Sequence, residues 1–158
     1  MKILYVDVSK CTGCRACEYA CSFAHDGLFN PLNSRIHISE FLDDFVFVPA
    51  MCTQCEDAYC VKVCPTGALS KNEETGVVEL DYNKCIGCKQ CTIACPWGNI
   101  KLDVEAKRII KCDYCGGGPE CVKVCHASAL QFVEVEDAVL DKQHRSAIYY
   151  KDIAQQGV

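Results

Sequence analysis

The chain has 158 residues, 16 of them cysteine, and a formal net charge of −5. This length fits one compact domain or two very small ones. The charges are interspersed without a basic stripe, and no apolar run approaches the roughly 18 residues of a membrane span, so we expect neither nucleic-acid binding nor direct membrane insertion.

The predicted elements are short, and we take them in chain order. Alternating and β-branched runs predict strands at 2–8, 35–39, 44–48, 76–83 and 107–111. The runs 17–25 and 91–99 begin inside cysteine motifs and predict a helical turn or a short helix. The tail, 137–156, predicts an amphipathic helix that packs on its own domain or docks on a partner. The N-terminus carries no apolar leader, which predicts a cytoplasmic protein.

The 16 cysteines form four groups of four, and none is left over. Group one is Cys11, Cys14, Cys17 and Cys21; group two is Cys52, Cys55, Cys60 and Cys64; group three is Cys85, Cys88, Cys91 and Cys95; group four is Cys112, Cys115, Cys121 and Cys125. Groups one and three share the string "KC-x-GC-x-x-C-x-x-AC", and groups two and four both end in "CVKVC". The chain therefore repeats two units in alternation.

This spacing favours iron–sulfur clusters over zinc or disulfides. In groups one and three, three cysteines surround one small volume, and the fourth points toward a second site. The fourth cysteine of such a run ligates the other cluster in two-cluster ferredoxins. Zinc ribbons need only pairs of C-x2-C, and structural disulfides are rare in the cytoplasm. We expect four [4Fe–4S] clusters, and the alternative is a zinc-stabilised interaction protein.

Groups two and three, with Pro65 and Pro96 after their last cysteines, look like a two-cluster bacterial ferredoxin at 52–100. If the fourth cysteine of each group ligates the cluster of the other group, two ligand sets are predicted. One is Cys52, Cys55, Cys60 and Cys95, and the second is Cys85, Cys88, Cys91 and Cys64. By the same logic, groups one and four form an outer pair of sets: Cys11, Cys14, Cys17 and Cys125, and Cys112, Cys115, Cys121 and Cys21. His126 follows the last cysteine of group four and is predicted to lie near the set that begins with Cys11, without binding iron.

The nested motifs, including "CTQCEDAYCVKVCPTGAL" and "KCDYCGGGPECVKVC", resemble the four-cluster electron-transfer subunits of the dimethyl sulfoxide reductase type over residues 1–133. Small polyferredoxin subunits that accompany tungsten aldehyde oxidoreductases, carbon monoxide dehydrogenases or hydrogenases are the most similar. The resemblance implies an α+β fold of two bacterial-ferredoxin-like modules, related by a pseudo-twofold axis and nested one within the other. The outer module would comprise 1–51 and 101–133, the inner module 52–100, and a C-terminal helical tail 134–158.

The resemblance also implies electron transfer, with catalysis on a partner subunit. The expected partner is a tungsten or molybdenum pterin enzyme or a nickel enzyme, and a tungsten aldehyde oxidoreductase is the leading hypothesis. A further subunit would donate or accept electrons. The alternative is a free soluble polyferredoxin. One chain leaves open the substrate, the order and potentials of the clusters, the direction of electron flow and self-association.

The basic side chains near the motifs have two interpretations each, and the histidines have one. The basic residues within or beside the motifs are Lys10, Arg15, Lys62, Lys84, Lys89, Lys111 and Lys123. Each is either an ordinary solvated side chain or a cation that offsets cluster charge and tunes a potential. His25, His37 and His144 are interpreted as polar residues of the surface or core, because cysteine already fills every predicted site.

Overall fold

The computed structural model describes residues 1–103 and 106–155, and its secondary structure is a series of short elements. The strands are β1 (Lys2–Val6), β2 (Ile36–Phe41), β3 (Val46–Met51), β4 (Leu69–Lys71), β5 (Val78–Leu80), β6 (Lys101–Asp103), β7 (Arg108–Ile110) and β8 (Leu130–Glu134). The α-helices are α1 (Ala16–Asp26), α2 (Tyr59–Lys62), α3 (Gln90–Ala94), α4 (Glu120–Lys123) and α5 (Val135–Gln155). Short 3-10 helices lie at Val8–Lys10, Pro31–Asn33 and Tyr114–Gly117.

The strands pair as four antiparallel, two-stranded sheets. Three of them are hairpins of successive strands, β2 with β3, β4 with β5 and β6 with β7. In the fourth sheet β1 pairs with β8, so that Lys2 lies opposite Glu134 and Val6 opposite Leu130. The pairing of β1 with β8 places residues 2–6 beside residues 130–134, which are far apart in the sequence.

The structure confirms a fold of mixed helices and strands. Each of the five predicted strand regions overlaps an observed strand, namely β1, β2, β3, β5 and β7, whereas β4, β6 and β8 lie outside those regions. The helices predicted at 17–25 and 91–99 are observed as α1 and α3. No helix among residues 1–103 and 106–155 is both long and apolar enough to cross a membrane.

Two apolar clusters hold these elements together. In the first, α1 packs against α4 and β2, α4 packs against β8, and Leu4, Ile38 and Leu130 are buried. In the second, α2 packs against α3 and the β4–β5 hairpin, with Val78 and Ile109 at its centre. Cysteine side chains belong to both clusters, so residues that are predicted to bind metal also form part of the core.

The predicted tail helix is observed as α5, which starts at residue 135 and packs on β8 and β1. The guanidinium of Arg145 contacts Asp7 Oδ2 at 2.8 Å, and the Tyr5 hydroxyl donates to Asp141 Oδ2 at 3.0 Å. These contacts hold α5 on its own domain, as one of the two interpretations of the tail predicts. Residues 156–158 of the predicted tail lie outside the described residues.

Candidate iron–sulfur sites

Every one of the 16 cysteines is a free thiol in the structure. They line four cavities, which we number 1 to 4. Cavity 1 is lined by Cys11, Cys14, Cys17 and Cys125; cavity 2 by Cys21, Cys112, Cys115 and Cys121; cavity 3 by Cys52, Cys55, Cys60 and Cys95; cavity 4 by Cys64, Cys85, Cys88 and Cys91. The structure thus brings together the same four cysteines in each cavity that the exchange pattern predicts as one set.

Short helices separate the third and fourth cysteines of each group. Cys17 and Cys21 lie one turn apart on α1, yet Cys17 lines cavity 1 and Cys21 lines cavity 2. Four residues along a helix advance the side chain by about 6 Å with little rotation. Helix α1 therefore presents cysteines to two neighbouring cavities, whereas Cys64, Cys95 and Cys125 lie just past the ends of α2, α3 and α4.

The glycine in the shared string of groups one and three has a conformational reason. Gly13 and Gly87 both have a positive φ, +69° and +67°, which L side chains rarely adopt. A Cβ on Gly13 would also lie 2.6 Å from the ring of Phe47. The chain needs glycine there to turn three closely spaced cysteines around one cavity.

Burial is the main electrostatic feature of these thiols. Burial, with smaller contributions from neighbouring groups, raises the pKa of Cys17 and Cys112 to about 12 and that of Cys91 to about 11. A thiol must lose its proton before it binds a metal, so these side chains require a nearby cation to do so. Four sulfur donors around an enclosed cavity are the donor set of an iron–sulfur cluster, and the residues present fit that group.

Hydrogen bonds to sulfur accompany two of the fourth cysteines. The backbone N–H of Arg35 donates to Cys21 Sγ at 3.3 Å, and Thr66 Oγ1 lies 3.7 Å from Cys64 Sγ. Burial raises the pKa of both thiols, but His25 and Arg35 beside Cys21, and backbone N–H groups and Thr66 beside Cys64, outweigh it and lower the net pKa. Such donors stabilise thiolate ligands and tune bound clusters.

Electrostatic contacts between thiols of different cavities give the cavities an order. Cys121 of cavity 2 interacts with Cys17 of cavity 1, and Cys112 of cavity 2 interacts with Cys52 of cavity 3. Cys91 of cavity 4 interacts in turn with one thiol of cavity 3. These contacts link the cavities in the order 1, 2, 3, 4. The chain passes through them in the same order from Cys11 to Cys91 and returns in the reverse order from Cys95 to Cys125.

His25 forms a polar contact at cavity 2 that the sequence pattern does not reveal. Its Nδ1 donates to the Cys21 carbonyl at 2.8 Å, and its Nε2 lies 3.1 Å from Asp113 Oδ1. Asp113, followed by Cys115 and Cys21, raises the pKa of His25 to about 12, and His25 lowers the pKa of Asp113 to about 2. His25, Asp113 and Cys115 lie close enough to hold a metal ion, but Cys115 already belongs to cavity 2, so we interpret the histidine as a support for that cavity.

His126 lies where the sequence predicts it. It lines cavity 1, and its Nδ1 is 3.9 Å from Cys14 Sγ. Among the basic residues near the motifs, Lys111 differs from the others because only 5% of its surface is exposed. Sequence spacing alone gives no signal that separates Lys111 from exposed lysines such as Lys123.

Comparison with known families and proteins agrees with this geometry. Residues 43–135 match the family model of the 4Fe-4S dicluster domain, and residues 4–23 match a 4Fe-4S binding domain. The polyferredoxin-like subunit of an aliphatic sulfonate oxidoreductase from Pyrococcus furiosus is 42% identical over 123 residues, which cover 78% of this chain and 70% of that protein. The thiosulfate reductase electron transfer subunit PhsB of Salmonella typhi is 35% identical over 153 residues, 89% of this chain and 79% of the relative.

A third relative and a solved structure extend the comparison. The electron transport protein HydN of Escherichia coli K12 is 32% identical and is covered over 99% of its length, with 94% of this chain. The active-site complex BamBC of benzoyl coenzyme A reductase, with bound 1,5-dienoyl-CoA, contains a chain of similar fold, with a TM-score of 0.50 and 28% identity over 84% of this chain and 75% of that one. These matches confirm the predicted iron–sulfur cofactor and electron-transfer role. The chain belongs to the 4Fe-4S dicluster family and is a ferredoxin-type electron-transfer subunit of oxidoreductases that carries [4Fe–4S] clusters.

Proposed function

We propose that the chain holds four [4Fe–4S] clusters, one in each of cavities 1 to 4, with the four lining cysteines as the iron ligands. The observation that carries this proposal is the grouping of 16 cysteines into four cavities, each lined by four of them, with no cysteine shared or left over. A bound [4Fe–4S] cluster supplies one-electron chemistry. The protein residues position the four sites and place hydrogen-bond donors beside two of the sulfurs, those of Cys21 and Cys64.

We also propose the nested arrangement of two modules, with 1–51 and 101–133 outside, 52–100 inside and the tail 134–158 separate. The pairing of β1 with β8 and the contact of α1 with α4 support the outer module, and the contact of α2 with α3 supports the inner one. The β6–β7 hairpin lies at the boundary, because Leu102 and Ile109 pack in the second apolar cluster. A pseudo-twofold axis would relate the two helix pairs.

Metal analysis of the anaerobically purified protein tests the proposed clusters. We expect about 16 iron atoms and about 16 acid-labile sulfides per chain, with a broad absorbance that bleaches on reduction. Stoichiometric zinc, or iron well below this amount in a fully folded sample, would overturn the proposal. The same measurement separates it from the alternative of a zinc-stabilised interaction protein.

We propose further that catalysis takes place on a partner subunit in the cytoplasm, and that a tungsten aldehyde oxidoreductase is the first candidate, ahead of molybdenum and nickel enzymes. Relatives are named as subunits of an aliphatic sulfonate oxidoreductase and a thiosulfate reductase, and the similar solved chain belongs to a benzoyl coenzyme A reductase complex. A further subunit would exchange electrons with this one.

Anaerobic co-purification with an affinity tag on this chain tests the partner. We expect a larger subunit that contains tungsten, measured by elemental analysis, in a fixed ratio to this chain. Molybdenum or nickel in that subunit would correct the metal while keeping the relay role. Recovery of the chain alone, with four clusters, would instead favour the free soluble polyferredoxin.

A further inference from the structure

Lys111 is a buried lysine whose ammonium group is fixed by three oxygen atoms. Its Nζ donates to the carbonyl of Val78 at 2.7 Å, the carbonyl of Cys112 at 2.8 Å and Gln54 Oε1 at 3.0 Å. An ammonium has three N–H donors and no acceptor, so all three donors are used. The side chain is therefore held in one position and cannot swing into solvent.

The oxygens that bind Lys111 come from both sides of the boundary between cavities 2 and 3. Cys112 lines cavity 2, and Gln54 lies between two cysteines that line cavity 3. Gln54 connects the two sides a second time, because its Nε2 donates to the Cys112 carbonyl at 2.9 Å and its Oε1 accepts from the Val78 N–H at 3.0 Å. The positive charge therefore lies at the middle of the row of four cavities.

The other lysines near the motifs are in a different electrical environment. Lys10, Lys62, Lys84 and Lys123 are exposed, and each forms an ion pair with a nearby carboxylate. Within residues 1–103 and 106–155, no carboxylate forms an ion pair with Lys111. A buried charge also acts through a lower dielectric constant than an exposed one, so its effect on nearby groups is larger.

Lys111 contacts groups that line both cavities. Its Nζ binds the carbonyl of Cys112, which lines cavity 2, and the carbonyl of Val78, which lines cavity 3. A [4Fe–4S] cluster with four thiolates carries a net charge of about −2 when oxidised and about −3 after it accepts one electron. A fixed positive charge nearby stabilises the more negative, reduced state.

We propose that Lys111 raises the reduction potentials of the clusters in cavities 2 and 3 and so favours an electron at the centre of the row over one at either end. The step is a one-electron reduction of the cluster by an electron-donor protein, without transfer of a proton. The inference rests on the proposed ligand sets. It assigns to one residue a role that the sequence assigns only to basic residues in general.

Lys111→Met and Lys111→Gln test this role in the anaerobic holoprotein, titrated with dithionite and followed by electron paramagnetic resonance and visible absorbance. We expect two of the four reduction steps to move to more negative potentials in both variants. At a fixed potential, the ratio of reduced to oxidised cluster should fall about tenfold, which is about 59 mV for one electron. Glutamine keeps hydrogen-bond donors without the charge, so a shift in Lys111→Met alone would overturn the proposal.

Lys123→Met is the matched control, because Lys123 is exposed and lies between two cysteines of group four. We expect its four potentials to equal those of the wild type. Movement of fewer than two steps, or of all four together, in the Lys111 variants would also overturn the proposal.

Gln54→Glu provides a second variant that leaves Lys111 in place. It introduces a carboxylate next to the ammonium and should shift the same two steps in the same direction by a smaller amount. If neither Lys111 variant nor Gln54→Glu retains full iron while Lys123→Met does, Lys111 acts in assembly and the proposal is wrong. A deficit of iron in the wild type would instead overturn the four-cluster proposal itself, so the two failures are distinguishable.

Discussion

Helices α1 and α3 begin in the same cysteine motif but differ in length, with 11 and 5 residues. Pro96 follows Cys95 and disfavours helical geometry at the residue before it, where ψ is 113°. Ser22 follows Cys21 at the corresponding position, and α1 continues until Gly27, whose φ is +68°. A single residue after the fourth cysteine therefore decides whether the helix ends there or continues by more than a turn.

The two "CVKVC" copies give the opposite result. Pro65 follows one and His126 the other, yet α2 and α4 have four residues each. Val63 and Val124 cap them with almost the same backbone angles, φ −89° and ψ −2° against φ −93° and ψ −5°. Both helices have ended before the proline position is reached, so the loss of proline changes no element there. The same sequence difference thus matters only where a helix runs through it.

Substitution of Ser22, the residue after the fourth cysteine of group one, should have the largest effect on stability and iron content. Ser22→Pro removes a hydrogen bond inside α1 and places a ring against the preceding turn, which costs about 3 kcal/mol or more. It also displaces Cys21 and the last turn of α1, which carries His25. We therefore expect a lower midpoint of thermal unfolding and loss of iron from cavity 2. Pro96→Ser is the control and should change the midpoint little. Equal midpoints for Ser22→Pro and wild type would show that α1 does not need its last turn.

Removal of one fourth cysteine tests the exchange between cavities. Cys21→Ser should lose one cluster, about a quarter of the iron, and the lost paramagnetic signal should be the one that Cys115→Ser also loses. Cys17 is its neighbour on α1 but lines cavity 1, so Cys17→Ser should lose a different signal. If Cys21→Ser and Cys17→Ser lose the same signal, both residues serve one cluster and the proposed ligand sets are wrong.

The residue after the third cysteine also differs between α1 and α3. We expect its substitution to change the free energy of unfolding by a smaller amount. Glu18 is fully buried on α1, and its Oε1 accepts from the Ile38 N–H at 2.9 Å. Thr92 has the same place on α3 and donates only to the Lys89 carbonyl, at 2.7 Å. Glu18→Thr should leave the buried Ile38 N–H unpaired and cost about 1–3 kcal/mol, measured as a lower thermal midpoint at unchanged iron content.

Two further variants check this assignment. Thr92→Ala should cost about 1 kcal/mol or less. Glu18→Gln keeps an acceptor for the Ile38 N–H and should lie between wild type and Glu18→Thr. A larger effect in Thr92→Ala than in Glu18→Thr would contradict our account of the two helices.

The smallest effect is expected at His126, because α2 and α4 end in the same way although Pro65 follows one "CVKVC" copy and His126 the other. His126→Pro should retain all four clusters and change stability by less than about 0.5 kcal/mol, because α4 ends before this position. At most, the potential of the cluster in cavity 1 should move, since His126 lies next to Cys14. Pro65→His is the reciprocal control. Loss of a whole cluster in His126→Pro, measured by iron content, would show that the imidazole has a larger role than we assign to it.

Much of the site could be predicted because the ligands are local in sequence. The three cysteines of a group can surround one volume only if the chain turns tightly between them, and the glycine at Gly13 and Gly87 is a visible sign of that turn. The strands with alternating or β-branched runs were predictable for the same reason, whereas β4 and β6 contain no β-branched residue and were not predicted.

The sequence by itself predicted the kind of cofactor and which four cysteines line each cavity, because spacing limits which thiols can meet. Only the tertiary structure decided the order of the cavities, the contact of His25 with Asp113 and the burial of Lys111 between cavities 2 and 3. These features depend on segments such as 52–55, 78 and 111–112, which lie far apart in the chain and meet only when the two apolar clusters pack. Local spacing contains no information about which of two lysines that packing will bury.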